Sequence, residues 1–405
     1  MSLKIAVIGA GIGGLAAALL AAGDGHEVTL FERFEAPRPI GSGLVIQPVG
    51  LAVLGLLGAG AEARALSSPI LRMYGDTAQS GRRVLDVSYP AGAPGRAFHR
   101  AALFGLLWGR IAAAGVKVET SALVSAAPLD KGRRHVALED GRRFGPFDLV
   151  VDASGAGSRL SPLVARPLPY GAIWGTVPWP GNTGFERNHL RQRYRRADRM
   201  IGVLPIGRLP DDPTPLTAVF WSMPADRLSR WPETPLEGWK AEARALWPEI
   251  APFLETIARH DQMTPARYMH GTLRRPYAAA LAHIGDAAHR ASPQLGQGAN
   301  MALLDALALV LALRGPLDDA LPAYARMRRW HVLSYQSFSA LLTPMYQSDS
   351  RLLPLVRDLF LAPVATWPVI RPMLSRLVAG DLLPPLAGRG RSGDRGALPV
   401  PHGGG

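Results

Sequence analysis

The 405-residue chain contains no cysteine. Disulfides, thiolate metal sites, iron–sulfur clusters and a cysteine nucleophile are therefore excluded together. The absence suits a reducing compartment, and a cytoplasmic location is expected; no metal site is expected. Charge is sparse, at 19% of residues, and lopsided: 45 Lys and Arg against 32 Asp and Glu, a formal net charge of +13. The cations are scattered and form no long basic block, which argues against a nucleic-acid partner. They leave a positive field that attracts small anions. Long apolar runs are scarce too. Ile5–Gly23 is a long stretch without a charge, and its glycine spacing argues against a membrane span or secretory signal. Apolar side chains are plentiful at 48%, enough for a large core and too many for wholesale disorder. The length suggests two or three domains.

Leu3–Ile8 is a short β-branched run suited to a buried strand. Gly9, Gly11 and Gly14 follow it as G-x-G-x-x-G, then a helical segment over Leu15–Ala22, then a second apolar strand over Glu27–Phe31 that ends in Glu32 and Arg33. Each glycine has its own reason: Gly9 for the tight turn, Gly11 for close approach of a pyrophosphate, Gly14 for close packing of helix on strand. The helix start offers free N–H groups to phosphates. Glu32 is placed to accept from ribose hydroxyls and disfavours a 2′-phosphate. The unit reads as a dinucleotide site better suited to FAD or NAD than to NADP.

A second motif lies downstream. A strand around Leu281–Ile284 ends in Gly285 and Asp286, a turn with Pro293, Gly296 and Gly298 follows, and a helix begins near Ala299. The text GDAAHRASPQLGQGAN resembles the second FAD fingerprint of the p-hydroxybenzoate hydroxylase-like, single-component flavoprotein monooxygenases. The resemblance implies an α/β fold: a Rossmann-like FAD-binding domain, an inserted mixed β-sheet substrate domain, and C-terminal helices. The expected division is 1–70, 96–165 and 266–315 for the FAD-binding domain, 71–95 and 166–265 for the substrate domain, 316–383 for the helices and 384–405 for a disordered tail.

The resemblance also implies FAD as cofactor, NADH or NADPH as electron donor, and hydroxylation of a small aromatic molecule (a phenol, quinolone or quinone precursor) by O2 through a flavin C4a-hydroperoxide. Asp286 would meet the ribityl chain. Pro293–Gly298 would lie against the isoalloxazine, and the helix starting at Ala299 and Asn300 would aim its positive end at the flavin. His289 reads as a packing and hydrogen-bonding residue, and Asp305 as an interhelix one. His99-Arg100 with Leu103 and Leu107 resembles the family's R-x-x-L-x-x-x-L helix, with Arg100 at the pyrophosphate or ribityl region. The loop Gly41–Pro48 would run beside the flavin, with Ser42, Gly43 and Gln47 as lining candidates. FDLVVDASGAGSRL, over Phe147–Leu160, resembles the family's middle motif, but Ser154 stands where aspartate is usual and Ser161 where arginine is usual, with Arg159 two positions early. The pyridine-nucleotide contacts are not carried over at those positions.

Residues 166–265 are dense in tryptophan. Strands are expected around Ala172–Val177, Leu190–Tyr194, Met200–Leu204 and Leu216–Trp221, and a helix over Leu236–Leu246. Trp174 and Trp221 are pocket candidates, and Pro293, Gln47 and His289 the flavin-proximal ones; no catalytic base stands out. Arg191, Arg193 and Arg195 alternate, so they share one face of a strand, and with Arg196 and Arg199 they read as a solvated face or an anion-binding patch. Prolines 322, 344, 354, 363, 368 and 372 should break the C-terminal helices. That segment resembles the ubiquinone-biosynthesis hydroxylase branch and mixes leucines with Arg351, Arg357, Arg371 and Arg376, a composition open to weak membrane-surface contact. A monomer or homodimer is expected. Three other readings stay open: a halogenase, a reductase of the same fold, and a flavin-binding protein with little turnover. The halogenase segment W-x-W-x-I-P has no match at Trp174–Trp179.

Overall fold

The structure is a computed structural model that describes residues 2–36 and 41–387. Strand Lys4–Ile8 pairs in parallel with Glu27–Phe31 on one side and Leu149–Asp152 on the other. Lys117–Glu119 and Leu281–His283 extend the parallel sheet, and Tyr277–Ala278 closes one edge antiparallel. Successive side chains point to opposite faces. Ile5 and Val7 join the core under helices Ile12–Gly23 and Gly298–Leu313, while Ala6 and Ile8 join a core with Phe31, Val136 and Phe147. The sheet is therefore covered on both faces, which explains its unbroken apolar strands. The first helix starts at Ile12, three residues before the sequence reading, because the glycine turn is itself its opening.

An eight-stranded mixed sheet forms the second layer. Its order is His289–Arg290, Met263–Thr272, Arg166–Pro178, Leu216–Pro224, Arg199–Pro205, His189–Arg195, Arg72–Thr77 and Arg83–Ser88. The four expected strands each lie inside a longer observed one, and helix Leu236–Leu246 falls where it was read. Met263–Thr272 was missed. It carries Pro265 and Gly271, both poor strand formers, yet it pairs with Arg166–Pro178 over most of its length. The boundary set at 265/266 cuts this strand, so the sheet reaches to Thr272.

The proline expectation fails in part. Helix Leu317–Tyr346 runs through Pro322 and Pro344. Each proline lies near a helix end and forfeits one ladder bond there, while buried side chains from Ala320 to Tyr346 hold the helix along its length. Beyond it the chain does shorten into brief helical pieces before helix Ile370–Ala379 ends at Gly380 in the left-handed conformation. The tail expectation also changes: Leu386 is buried and the Ala387 N–H donates to the Met327 carbonyl at 3.0 Å. Residues 384–387 thus belong to the fold, and 388–405 lie outside the described residues.

Candidate active site

The first glycine motif opens a groove. Gly9 turns the chain at φ +99°. A Cβ on Gly14 would strike the Gly9 carbonyl oxygen, so this glycine sets the contact of helix on strand. A Cβ on Gly11 would meet nothing within 4 Å; it would stand in the groove instead. Leu15 is the first residue whose N–H bonds back, to Gly11, so the earlier N–H groups of the helix have no intrahelical partner. No acidic residue sits in that first turn. Glu32 is buried, with Oε2 accepting from the Ala10 N–H at 2.8 Å and Oε1 from the Phe34 N–H at 3.1 Å. The Arg33 guanidinium lies over the Phe34 ring at 4.6 Å. Together these residues and the turn Ser154–Gly157 wall a cavity of about 250 Å³.

The two departures in the middle motif have internal uses. Asp152 is fully buried and collects the hydroxyls of Ser154 and Ser158 and Nδ1 of His283. Burial alone would raise its carboxyl, but hydrogen bonds from His283, Ser154 and Ser158 hold it below the usual carboxylate value. The Ser161 hydroxyl donates to the Ala287 carbonyl and ties this turn to the second fingerprint.

Arg100 opens helix Arg100–Trp108 and lines both this cavity and a second one of about 470 Å³. The two cavities therefore meet at one guanidinium. Its Nε is buried without a hydrogen-bond partner. Burial pushes its pKa down from the ordinary value, and the exposed carboxylate of Asp286 opposes that shift.

The second fingerprint forms one wall of the larger cavity, through Asp286, His289 and the run Pro293–Ala299. Ser292 caps the turn Pro293–Leu295, and Gly296 takes the left-handed conformation, φ +62°. Helix Gly298–Leu313 starts one residue before Ala299, with no acidic residue in its first turn. A Cβ on Gly298 would meet nothing within 4 Å. Asn300 does not line the cavity. Its side chain is fully buried, accepting from the Gln47 N–H at 2.7 Å and donating to the carbonyls of Val45 and Gly296; it staples the Gly43–Ile46 strand to the fingerprint turn. His289 Nε2 lies 2.6 Å from Asp305 Oδ2, while Asp305 Oδ1 accepts from Arg328 Nε at 2.7 Å and Oδ2 also accepts from the Gly285 N–H. Burial would raise Asp305, yet His289 and Arg328 outweigh it and hold the carboxyl far below its ordinary range. Arg328 in turn meets His331 Nδ1 at 3.2 Å, and His331 Nε2 reaches the Gly380 carbonyl. His289 is thus a member of a buried structural chain.

The large sheet supplies the opposite wall. Trp174 stacks on Phe220 with centroids 4.4 Å apart, and its Nε1 donates to the Tyr268 hydroxyl at 2.9 Å. Burial raises the Tyr268 pKa well above that of a free phenol, so it stays protonated. Trp221 is not in the cavity. One residue after Phe220, it points to the other face and packs with Trp231 and Trp239. The arginine expectation changes as well. Arg191, Arg193 and Arg195 do share a face, but Arg191 and Arg193 lie over Trp247, and Arg193, Arg195 and Arg199 face Glu249, Glu242 or Asp198. Their charge is stacked and paired rather than free for a ligand. The same alternation turns Leu190 and Gln192 into the cavity, a signal present in the sequence that went unread. Gln347, Tyr268 and Tyr89 were also missed. Gln47 is fully buried at the cavity wall, its Oε1 accepting from the Tyr89 hydroxyl at 2.5 Å and its Nε2 unpartnered. Ser42 donates to the Gly175 carbonyl at 3.3 Å. Among the described residues no cluster of His, Asp and Glu could hold a metal ion.

These features fit a bound FAD. Glu32 at the strand end, a glycine cradle open at Gly11 with the buried guanidinium of Arg100 and its free Nε beyond it, and a helix start open at Gly298 are spaced along one groove, suited to ribose, pyrophosphate and ring system in turn. The comparisons agree. A family profile described as an FAD binding domain matches residues 207–332, and one described as an NAD(P)-binding Rossmann-like domain matches residues 7–37. The chain is 30% identical over 353 residues to 3-amino-4-hydroxybenzoate 2-monooxygenase of Streptomyces cremeus, covering 80% of this chain and 83% of that one. It is 29% identical over 336 residues to 2-heptyl-3-hydroxy-4(1H)-quinolone synthase of Mycobacteroides abscessus, covering 77% and 82%. Among solved structures, a Klebsiella pneumoniae HpxO variant complexed with FAD superposes with a TM-score of 0.77 at 20% identity, covering 94% of this chain and all of that one. The fold and the groove define an FAD-dependent oxidoreductase. The chain belongs to the p-hydroxybenzoate hydroxylase-like flavoprotein monooxygenases, with FAD as cofactor and NAD(P)H as electron donor.

Proposed function

We propose that the protein hydroxylates a small, electron-rich aromatic molecule, in the balance ArH + O2 + NAD(P)H + H⁺ giving ArOH + H2O + NAD(P)⁺. One observation carries the reading: the fingerprint turn and an aromatic sheet wall face each other across a single cavity of about 470 Å³, large enough for a flavin ring edge and a small substrate together. Glu32 and Arg33 would hold the adenosine end, the glycine turn at Gly9 and Gly11 together with Arg100 the pyrophosphate, Asp286 the ribityl chain, and the N–H groups at Gly298 and Ala299 the ring. FAD, once reduced by NAD(P)H, supplies the oxygen-activating chemistry. The chain positions and shields. Pro293 presents no N–H at its turn. Trp174, locked by its bonds to Tyr268 and Phe220, offers a rigid face for an aromatic ring. Of the flavin-proximal candidates, His289 is tied to Asp305 and acts by positioning, while Gln47 brings a free polar atom to the cavity.

The C-terminal surface also supports weak contact with a membrane surface. Leu352, Leu355, Leu359, Phe360, Trp367, Val369 and Met373 are exposed beside exposed Arg351, Arg371 and Arg376, whereas Arg357, expected with them, is fully buried and bonded to the Arg196 and Met345 carbonyls. Among the described residues no helix is long and apolar enough to cross a membrane.

The test mixes the yellow holoprotein with NADH or NADPH and an aromatic panel, first anaerobically and then with ¹⁸O-labelled dioxygen. Aromatic-accelerated flavin bleaching followed by one ¹⁸O atom in the product supports the reading. Turnover with no oxygen incorporated makes the protein a reductase. Absence of bleaching with every aromatic refutes the proposal.

A further inference from the structure

The larger cavity has two chemically different ends. Its charged groups stand on the fingerprint side or at the mouth: Arg100 answers Asp286, His289 is bound to Asp305, and Arg267 is exposed at the rim. The wall made by the sheet and the long helix carries one charged lining residue among those described, Arg267, and it is exposed rather than buried. This end is otherwise lined by apolar side chains such as Met73, Leu190 and Phe220, and by neutral amides, of which Gln47, Gln192 and Gln347 are buried. Gln347, the C-cap of helix Leu317–Tyr346, is buried, with no partner for its Oε1. Gln192 is buried and engages the Tyr194 hydroxyl through Oε1, which leaves its Nε2 to donate. Gln47 brings an unpartnered Nε2 from the other wall.

Buried amide atoms without partners are costly and scarce in native proteins, and several sharing one cavity mark a surface built to meet a ligand's own donors and acceptors. A ligand carboxylate would find no buried cation there, Arg267 being exposed, and burying an anion without a partner is far more unfavourable than burying a neutral amide. We infer that this end selects an uncharged aromatic ring bearing both a donor and an acceptor, such as a lactam or an ortho-hydroxyamide, held by Gln347, Gln192 and Gln47, and that it rejects aromatic carboxylates. Swapping O and N of Gln192 or of Gln47 exchanges a donor for an acceptor and still leaves both kinds of group in the cavity. The inference rests on the hydroxylase reading and is opposite to what the net charge of +13 suggests.

The test titrates the FAD-loaded protein with matched ligands and follows the flavin absorbance: 4-quinolone and salicylamide as neutral donor–acceptor rings, N-methyl-4-quinolone lacking the donor, and salicylate as the anion. The neutral pair is expected to bind at least tenfold more tightly than salicylate, with N-methylation costing about tenfold. Gln347→Met and Gln192→Met, close in shape, should each lose about tenfold for the neutral pair while the protein keeps its FAD. Gln347→Glu, a second route should either fail to fold, should keep 4-quinolone, whose N–H a carboxylate also accepts, and exclude salicylate further. Salicylate binding as tightly as salicylamide, or Met variants with unchanged affinities, overturns the inference while leaving a hydroxylase intact. If none of the four ligands alters the flavin spectrum and a wider aromatic panel also fails to accelerate its reduction, the hydroxylase reading falls, and this inference with it.

Discussion

Replacing Arg100 by methionine separates cofactor binding from folding, because the two should move in different directions. In the protein alone this guanidinium is unfavourably placed: burial lowers its pKa, its Nε has no partner, and Asp286 is the charge that supports it. Methionine fills a similar volume and removes the desolvation cost, so the apoprotein should keep or raise its melting temperature. In the holoprotein the same cation would face the FAD pyrophosphate. A hydrogen bond to a charged group contributes about 1.5–3 kcal/mol, which corresponds to roughly 10- to 150-fold in the FAD dissociation constant. Arg100→Lys keeps the charge but loses the planar fork and should fall between. The assay titrates apoprotein with FAD by quenching of flavin fluorescence, alongside thermal unfolding of the apo form. A change in FAD affinity under threefold would refute the role given to Arg100. So would apoprotein destabilised by more than about 2 kcal/mol, since the residue would then be a strut of the fold.

Two glycines of one motif should respond differently. Gly14→Ala drives a Cβ into the Gly9 carbonyl and should cost about 1–3 kcal/mol of stability even without FAD, whereas Gly11→Ala projects into open space and should spare the apoprotein while weakening FAD binding; chemical denaturation and FAD titration distinguish them. Asp305→Ala leaves Arg328 charged, buried and unpaired and should cost about 3–5 kcal/mol, with Asp305→Leu combined with Arg328→Met recovering much of it in a double-mutant cycle. Acid should destabilise the protein early. Burial, with Arg328 alongside, pushes His331 from 6.5 down to about 3, so below pH 6.5 the unfolded chain takes up a proton that the folded one refuses. Stability should fall by about 2 kcal/mol between pH 7 and pH 5, a slope that His331→Gln flattens in urea melts; an equal slope in that variant refutes the assignment. Finally, sedimentation with phosphatidylglycerol vesicles should exceed that with phosphatidylcholine and drop when Phe360 and Trp367 become serine, and an indifferent result removes membrane contact.

The parts legible in the sequence are those where backbone geometry forces a residue type. Gly9, Gly14, Gly296 and the Glu32 carboxylate answer constraints local to a turn or a strand end, so their spacing was readable. The parts missed depend on which face meets which partner. Trp221 looked like a pocket residue by chemistry, but on a pleated strand Phe220 takes the cavity and its neighbour cannot. The alternating arginines were seen and the residue between two of them, Gln192, was not, although the same period that aligned the cations places it on the other side. Prolines 322 and 344 show the reverse failure, a valid local rule outweighed by packing spread along a 30-residue helix.

Gln347 had no local signal at all. It follows a helix end, far in sequence from both fingerprints, and only the closure of that helix over the sheet brings its amide to the cavity. That difference follows from what each site has to do. A cofactor is constant across a family, so its contacts are fixed into short motifs. A substrate is met by side chains gathered from separate elements, here the strand His189–Arg195, the Gly41–Pro48 loop and the long helix, and each can change without disturbing the others. The aromatic wall and the amides should therefore carry what distinguishes this protein from its relatives. Exchanging Gln192 and Gln347 should alter substrate choice while FAD affinity stays within a few-fold, whereas changes at Gly11 or Arg100 should weaken the protein toward every substrate alike.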